Sequence, residues 1–182
     1  MFGIVFAESG LFIGFFLPGD SLLFTAGVLA SQGHLNIVAL MAVIFVGAVL
    51  GDNVGYAFGK AVGPKLFKRE DSLLFHKKNL VRAHDFYERH GPMAIVLARF
   101  IPVIRTFAPI VAGIGLMNYK TFVFYNIFGG LLWTLILTLA GYYLTSVIPG
   151  VEDYISWGVI GIIVVSFIPP ILQLIKEYYS KK

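Results

Sequence analysis

Five ionisable residues lie within otherwise apolar sequence and are the first candidates for chemistry: Glu8, Asp20, Asp52, Arg99 and Arg105. A charge in apolar surroundings is costly, so such residues are candidates for function, although opposite charges can also simply pair. Arginine stays protonated and grips a phosphate through two parallel hydrogen bonds. Carboxylates removed from water can exchange protons near neutral pH. The set therefore fits binding of an anionic group together with proton exchange.

The two arginines lie six residues apart in LARFIPVIRTFAPIVAG (97–113). On an unbroken helix, six residues turn through about 240°, so the two side chains would point apart. Pro102 stands midway between them, and a helix break there would let both guanidinium groups reach one cavity. Pro109 is predicted to make a second break in the same stretch.

The composition is that of an integral membrane protein. Of the 182 residues, 58% are hydrophobic and 13% are charged, with a mean hydropathy of +0.83, whereas a soluble domain has about 25% charged residues. The absence of cysteine excludes disulfides and thiolate chemistry. The opening MFGIVFAESG lacks the basic region and cleavage site of a signal peptide. We expect either a further segment upstream of it or a site that is assembled without one.

The first apolar run is interrupted by Pro18 and Gly19, and Asp20 follows as a candidate N-cap. This pattern predicts two helices, 3–16 and 21–31, each too short to cross the ~30 Å hydrocarbon core. We therefore predict a re-entrant hairpin over 2–31, with one kinked spanning helix as the alternative. Glu8 and Asp20 would lie on its two arms.

The remaining sequence predicts an all-α polytopic membrane protein with an inverted repeat of two re-entrant hairpins, each followed by a transmembrane helix. Broken helices at matching positions of two halves are typical of a transport site near the bilayer midplane. Eight of the fourteen Lys and Arg residues lie in 60–92, which places this basic amphipathic segment and the basic C-terminus in the cytoplasm. The predicted parts of this single membrane domain (1–182) in the cell membrane are hairpin 2–31, span 35–58, segment 60–92, hairpin 93–116, span 122–144 and a C-terminal span at 154–175.

Glycines recur every four residues at 47, 51, 55, 59 and 63. Such a stripe allows another helix to approach closely, so it predicts tight packing and permits a homodimer. Asp52 adjoins the stripe, and Tyr56 follows one turn later on the same face. These two residues either line a transport pathway or only form hydrogen bonds.

The sequence offers little for metal or enzyme chemistry. His76, His84 and His90 are spaced too widely for a compact metal motif, and we find no hydrolase motif. We therefore expect no enzymatic activity, no cofactor, no metal and no nucleic-acid partner.

Three stretches resemble the DedA family of membrane proteins, also called SNARE-associated or VTT-domain proteins: FAESGLFIGFFLPGDSLLFTAG (6–27), GDNVGYAFGK (51–60) and LARFIPVIRTFAPIVAG. The resemblance extends from about Phe6 to Gly141. It implies facing re-entrant hairpins and movement of lipids, with the family's acidic pair at Glu8 and Asp20 and its arginine pair at Arg99 and Arg105. Bacterial relatives are implicated in returning undecaprenyl phosphate to the cytoplasmic leaflet, some of them dependent on the proton motive force, and eukaryotic relatives act as phospholipid scramblases. The family usually carries a further N-terminal segment.

The leading hypothesis is a flippase for a lipid phosphate, with undecaprenyl (polyprenyl) phosphate as first candidate, in carrier-lipid recycling and envelope maintenance. Its partners would be membrane lipids and protons. The alternatives are a proton-coupled transporter of an ion or small solute, whose carboxylates bind the cargo, a phospholipid scramblase, and a scaffold that binds partners through the glycine stripe.

Overall fold

The computed structural model describes residues 1–10, 19–66 and 91–147, and every regular element within these ranges is a helix. The predicted all-α class is confirmed over them. Pro18, most of the basic segment 60–92 and the predicted span 154–175 lie outside the described residues. The helices are α1 (Phe2–Gly10), α2 (Gly19–Ser31), α3 (Ile37–Leu66), α4 (Met93–Ala98), α5 (Pro102–Ile114) and α6 (Tyr119–Val147).

Two of the described helices, α3 and α6, are long and apolar enough to cross a membrane. Their apolar parts are Ile37–Gly63, with 27 residues and a mean hydropathy of 2.2, and Tyr119–Leu144, with 26 residues and a mean hydropathy of 1.8. At 1.5 Å per residue each is about 40 Å long, more than the hydrocarbon core requires. Both helices extend past the ends predicted at 58 and 144, so the first residues of the segment predicted at 60–92 continue α3.

Each long helix begins at an asparagine that caps its first turn. Asn36 Oδ1 accepts hydrogen bonds from the backbone N–H groups of Val38 and Ala39, both at 3.0 Å. Asn118 Oδ1 accepts the corresponding bonds from residues 120 and 121 at 3.0 and 3.4 Å. An asparagine side chain satisfies N–H groups that have no partner inside the helix. These caps explain why the helices begin at 37 and 119, rather than at the predicted 35 and 122.

The predicted helix break near Pro102 is present. Helix α4 ends at Ala98, residues 99–101 form turns, and Pro102 is the first residue of α5. Ile101 is extended, with φ −115° and ψ 107°, as expected for a residue before proline.

The predicted break at Pro109 is wrong, because α5 continues through it to Ile114. Proline removes one hydrogen-bond donor from a helix, but the neighbouring packing holds this turn in place. The ring of Pro109 lies against Gly55, where an added Cβ would be 3.4 Å from Pro109 Cβ. The tertiary contact therefore overrides the local preference for a break.

In the first predicted hairpin, α1 ends at Gly10 and α2 begins at Gly19 with Asp20 in its first turn. Residues 11–18, which would form the turn, are not among the described residues. The re-entrant hairpin therefore stays a prediction.

The described helices belong to two compact units. One contains α1, α4, α5 and residues 43–66 and 119–133 of the long helices; the other contains α2 with residues 37–42 and 134–147. In the first unit the glycine stripe is buried and packed: Gly47 and Gly51 face α1, whereas Gly55, Gly59 and Gly63 face α5. The prediction of close packing is confirmed. Because the stripe is covered within the chain, the homodimer stays a prediction that this stripe no longer supports.

In each unit, two helices cross at a pair of glycines that let their backbones approach closely. In the first, a Cβ on Gly113 of α5 would collide with the Tyr56 carbonyl, and one on Gly59 would collide with the Ile110 carbonyl. In the second, the corresponding contacts are Gly27 with the Thr138 carbonyl and Gly141 with the Phe24 carbonyl. The positions in α6 lie 82 residues after those in α3 (56 to 138, 59 to 141), and those in α5 lie 86 after those in α2 (24 to 110, 27 to 113). The constant spacing of these close contacts agrees with the internal repeat predicted from the sequence pattern, which stays a prediction.

Candidate functional site

Arg99 directly follows α4 as its C-cap and binds two other helices through its side chain. It is 5% exposed, and its Nη2 donates hydrogen bonds to Asp52 Oδ2 of α3 and Asn126 Oδ1 of α6. The Arg99–Asp52 contact is also a buried ion pair. Arginine suits such a position because its guanidinium has several donors in a fixed plane. The Arg99 side chain therefore connects the residues at the break after α4 to both long helices.

Two glycines of α6 leave room for the Arg99 side chain. A Cβ added to Gly129 would lie 3.3 Å from Arg99 Cδ, and one added to Gly130 would lie 3.5 Å from Arg99 Cζ. Larger residues here would push on the guanidinium directly. The glycines and Asn126 together form the surface on which Arg99 rests.

Arg105 lies on α5 and forms the second buried ion pair, with Glu8 Oε1 of α1. The two side chains are 7% and 5% exposed. The Arg105 guanidinium also lies over the ring of Trp133, with Cζ 4.9 Å from the ring centroid. A cation over an indole ring is attracted by the negative face of the ring, and this attraction is stronger away from water. The contacts of Arg105 thus include a charged partner, Glu8, and a neutral aromatic partner, Trp133.

The two arginine sites share one face of α6. Asn126 and Trp133 are seven residues, or two turns, apart, so their side chains project from the same side at a separation of about 10 Å along the axis. The break at Pro102 therefore directs both Arg99 and Arg105 toward α6. Arg99 forms an ion pair with Asp52, and Arg105 forms a separate ion pair with Glu8.

The structure clarifies the positions of the other predicted site residues. Asp52, left open between a pathway role and a hydrogen-bonding role, is the ion-pair partner of Arg99. Asp20 is half-buried in the first turn of α2, which belongs to the other unit.

Tyr56 is buried between α3 and the start of α6. It is 3% exposed, its hydroxyl donates to the Met117 carbonyl at 2.6 Å, and its ring stacks on Phe122 with centroids 4.5 Å apart. These contacts fix the start of α6 against α3. Among the described residues, Tyr56 thus stabilises the packing of α3 against α6.

Sequence reasoning missed two residues of the site, Asn126 and Trp133. Asn126 carried a usable signal, since a polar amide inside an apolar span usually hydrogen-bonds to a neighbouring helix. Trp133 carried none, because an aromatic residue in a span is ordinarily a packing residue. No group of three metal-ligating side chains occurs over residues 1–10, 19–66 and 91–147, and the three histidines of the basic segment lie outside them.

Each guanidinium is a group that could bind an oxyanion in a low-dielectric setting. Arg99 is paired with the carboxylate of Asp52 and Arg105 with that of Glu8, so each guanidinium has an opposite charge beside it. A phosphate that replaces a carboxylate would keep the arginine compensated. The displaced carboxylate would then need a proton or another cation, because an isolated charge in apolar surroundings is costly.

Comparison with known proteins gives consistent matches over most of the chain. The family model described as the VTT domain matches residues 17–143. Protein DedA of Escherichia coli (strain K12) is 46% identical over 179 residues, which cover 97% of this chain and 81% of that protein. A membrane protein of Mycobacterium leprae (strain TN) is 42% identical, covering 98% and 79%, and the inner membrane protein YqjA of E. coli is 39% identical, covering 79% and 66%. No solved structure matches the chain significantly.

Proposed function

Because the chain belongs to the DedA family of membrane proteins, we propose that it is a lipid transporter. Its cargo is a lipid phosphate, with undecaprenyl phosphate as the first candidate. Relatives named as membrane proteins, one of them an inner membrane protein, support a location in the cell membrane. The basic residues of segment 60–92 and of the C-terminus favour a cytoplasmic position for both.

The observation that carries this proposal is the buried Arg105–Glu8 pair against Trp133. A phosphate monoester offers several oxygens and a charge that matches a guanidinium, and it can accept two parallel hydrogen bonds. It can take the place of the single carboxylate of Glu8, while Trp133 keeps the guanidinium in position. Arg99 supplies the second cationic group on the same face of α6.

The same exchange links transport to protons. Once the phosphate holds Arg105, buried Glu8 loses that counter-charge, which favours uptake of a proton from water. When the lipid leaves, Glu8 releases the proton and pairs with Arg105 again. A proton gradient would bias this cycle in one direction. Asp20, in the first turn of α2, is the second carboxylate that we assign to proton coupling or gating.

The test uses sealed proteoliposomes that contain a polyprenyl phosphate, with and without a pH gradient. We expect movement of the lipid between leaflets by the unaltered protein, faster with the gradient, and none by Arg105→Ala. Lys120→Ala is the matched control, because it removes an exposed cation from the first turn of α6 and leaves both ion pairs intact.

Equal transport by Arg105→Ala and the unaltered protein would overturn the assignment of Arg105 as phosphate ligand. Equally fast movement of phosphatidylcholine would identify a phospholipid scramblase instead. Movement of ions without movement of lipid would identify a proton-coupled ion or solute transporter.

A further inference from the structure

Asn126 is fully buried in α6, and the transport step described above does not use it. Its Nδ2 donates to the Val49 carbonyl at 3.2 Å, and its Oδ1 accepts a hydrogen bond from Arg99 Nη2. A carbonyl can only accept, so it selects the NH₂ end of the amide. The amide oxygen is thereby directed at Arg99.

Arg99 Nη2 thus has two acceptors of different kinds, the Asp52 carboxylate and the Asn126 amide. The carboxylate is charged and competes with any other anion for the guanidinium. The amide is neutral and keeps its oxygen acceptor whatever the charge on Asp52. The Arg99 side chain also packs on α6, with its Cδ next to Gly129 and its guanidinium next to Gly130. The contacts of the Arg99 side chain with α6 therefore do not involve Asp52.

We propose that Asn126 is a positioning residue that keeps the Arg99 guanidinium oriented while a lipid phosphate displaces Asp52. This inference rests on the proposed function, since it assigns an oxyanion to Arg99. The ligand class is a phosphate monoester in a bilayer, whose oxygens take over the hydrogen bonds of the carboxylate. Asn126 acts through Arg99 and does not itself bind the cargo.

The two neighbours of Arg99 should then have opposite effects on binding. Asp52→Asn removes the competing charge while Asn126 still orients Arg99, so phosphatidic acid should bind roughly tenfold tighter, the worth of one hydrogen bond to a charged group. Asn126→Leu removes the neutral acceptor and lets Arg99 close on Asp52, so binding should be roughly tenfold weaker on the same reasoning. A cluster that only held the helices together would weaken binding in both variants.

The experiment measures binding of dioleoyl phosphatidic acid, with dioleoyl phosphatidylcholine as the reference lipid, to the full chain in nanodiscs. Asp52→Asn, Asn126→Leu and the double variant are compared with the unaltered protein. Asn53→Ala is the matched control, because Asn53 Nδ2 donates to the same Val49 carbonyl at 2.7 Å from within α3. We expect the double variant to lose the tighter binding of Asp52→Asn, and Asn53→Ala to bind as the unaltered protein does.

Melting temperatures in the reference lipid provide a second readout. Asp52→Asn should melt lower there, because it leaves a buried cation without its counter-charge, and should recover when phosphatidic acid is added. The recovery should be absent in the double variant. Asn126→Ala, which adds no atoms, replaces Asn126→Leu where the larger residue prevents folding.

Three results would overturn the inference: a double variant that binds phosphatidic acid as tightly as Asp52→Asn, an Asn126→Leu variant that binds as tightly as the unaltered protein, or an Asp52→Asn variant that binds no more tightly than the unaltered protein. Transport of polyprenyl phosphate by the unaltered protein tests the proposed function separately. If transport is present but binding does not depend on Asn126, only the Asn126 assignment fails. If Asn126-dependent binding is present without transport, only the proposed function fails.

Discussion

Replacing Gly59 by alanine should separate α3 from α5 and disturb the arginine site carried by α5. The added Cβ would lie 2.9 Å from the carbonyl carbon and 3.0 Å from Cα of Ile110, and closer still to its carbonyl oxygen. These are backbone atoms, so no side chain can swing away, and the helices must move apart. Overpacking of this kind costs roughly 1–3 kcal/mol.

Gly55→Ala is the matched control one turn earlier on the same helix. Its Cβ would meet side-chain atoms of Pro109 and Ile110 at 3.4 and 3.5 Å, and the backbone oxygen of Ser9 would be at an ordinary contact distance of 3.8 Å. Both substitutions gain the same helix propensity, about 1 kcal/mol for alanine over glycine. The difference between the two variants therefore isolates the backbone collision, and we expect Gly59→Ala to be less stable than Gly55→Ala by roughly 1–3 kcal/mol.

The assay is the free energy of unfolding of both variants in detergent micelles, followed by lipid transport in proteoliposomes. Transport should fall further in Gly59→Ala, because Arg105 moves with α5. Gly141→Ala should repeat the loss of stability at the equivalent crossing with Phe24 in the other unit. Equal stabilities for Gly59→Ala and Gly55→Ala would refute the reasoning from close backbone approach.

Four further substitutions test individual contacts. Glu8→Gln should lower the free energy of unfolding by roughly 3–5 kcal/mol, because it removes the charge paired with buried Arg105; a loss below about 1 kcal/mol would mean that the pair is solvated. Trp133→Leu should lower the free energy of unfolding by about 1–2 kcal/mol through loss of the cation–π contact. Trp133→Met also lacks an aromatic ring, so it should lower the free energy of unfolding by the same amount. Tyr56→Phe should lower the free energy of unfolding by about 1 kcal/mol, the contribution of one hydrogen bond, and should leave transport intact. Loss of transport in a stable Tyr56→Phe variant would mean that Tyr56 lines the transport pathway. Asn118→Ala should cost about 1 kcal/mol through loss of the N-cap of α6, seen as a lower melting temperature by circular dichroism; an unchanged melting temperature would contradict the capping role.

Local features of the sequence were enough to predict the helical membrane class, the two long apolar helices and the break near Pro102. Each depends on residues close together in the chain: a run of apolar residues longer than a bilayer, or a proline that constrains its predecessor. The same reasoning failed at Pro109, where the local preference for a break was outweighed by packing against Gly55. The start of α3 also shifted to the asparagine cap at Asn36.

The choice of partners within the site came only from the tertiary structure. The sequence singled out Glu8, Asp52 and both arginines, because charges in apolar segments are costly wherever they lie. It gave no means to assign Asp52 to Arg99, 47 residues away, or to find Asn126 as the second acceptor. Hydrogen bonds and ion pairs act over a few ångströms, so partners are decided by which helix faces meet and in which register. That register depends on glycines that admit a neighbouring backbone, and only the packed helices reveal which neighbour it is.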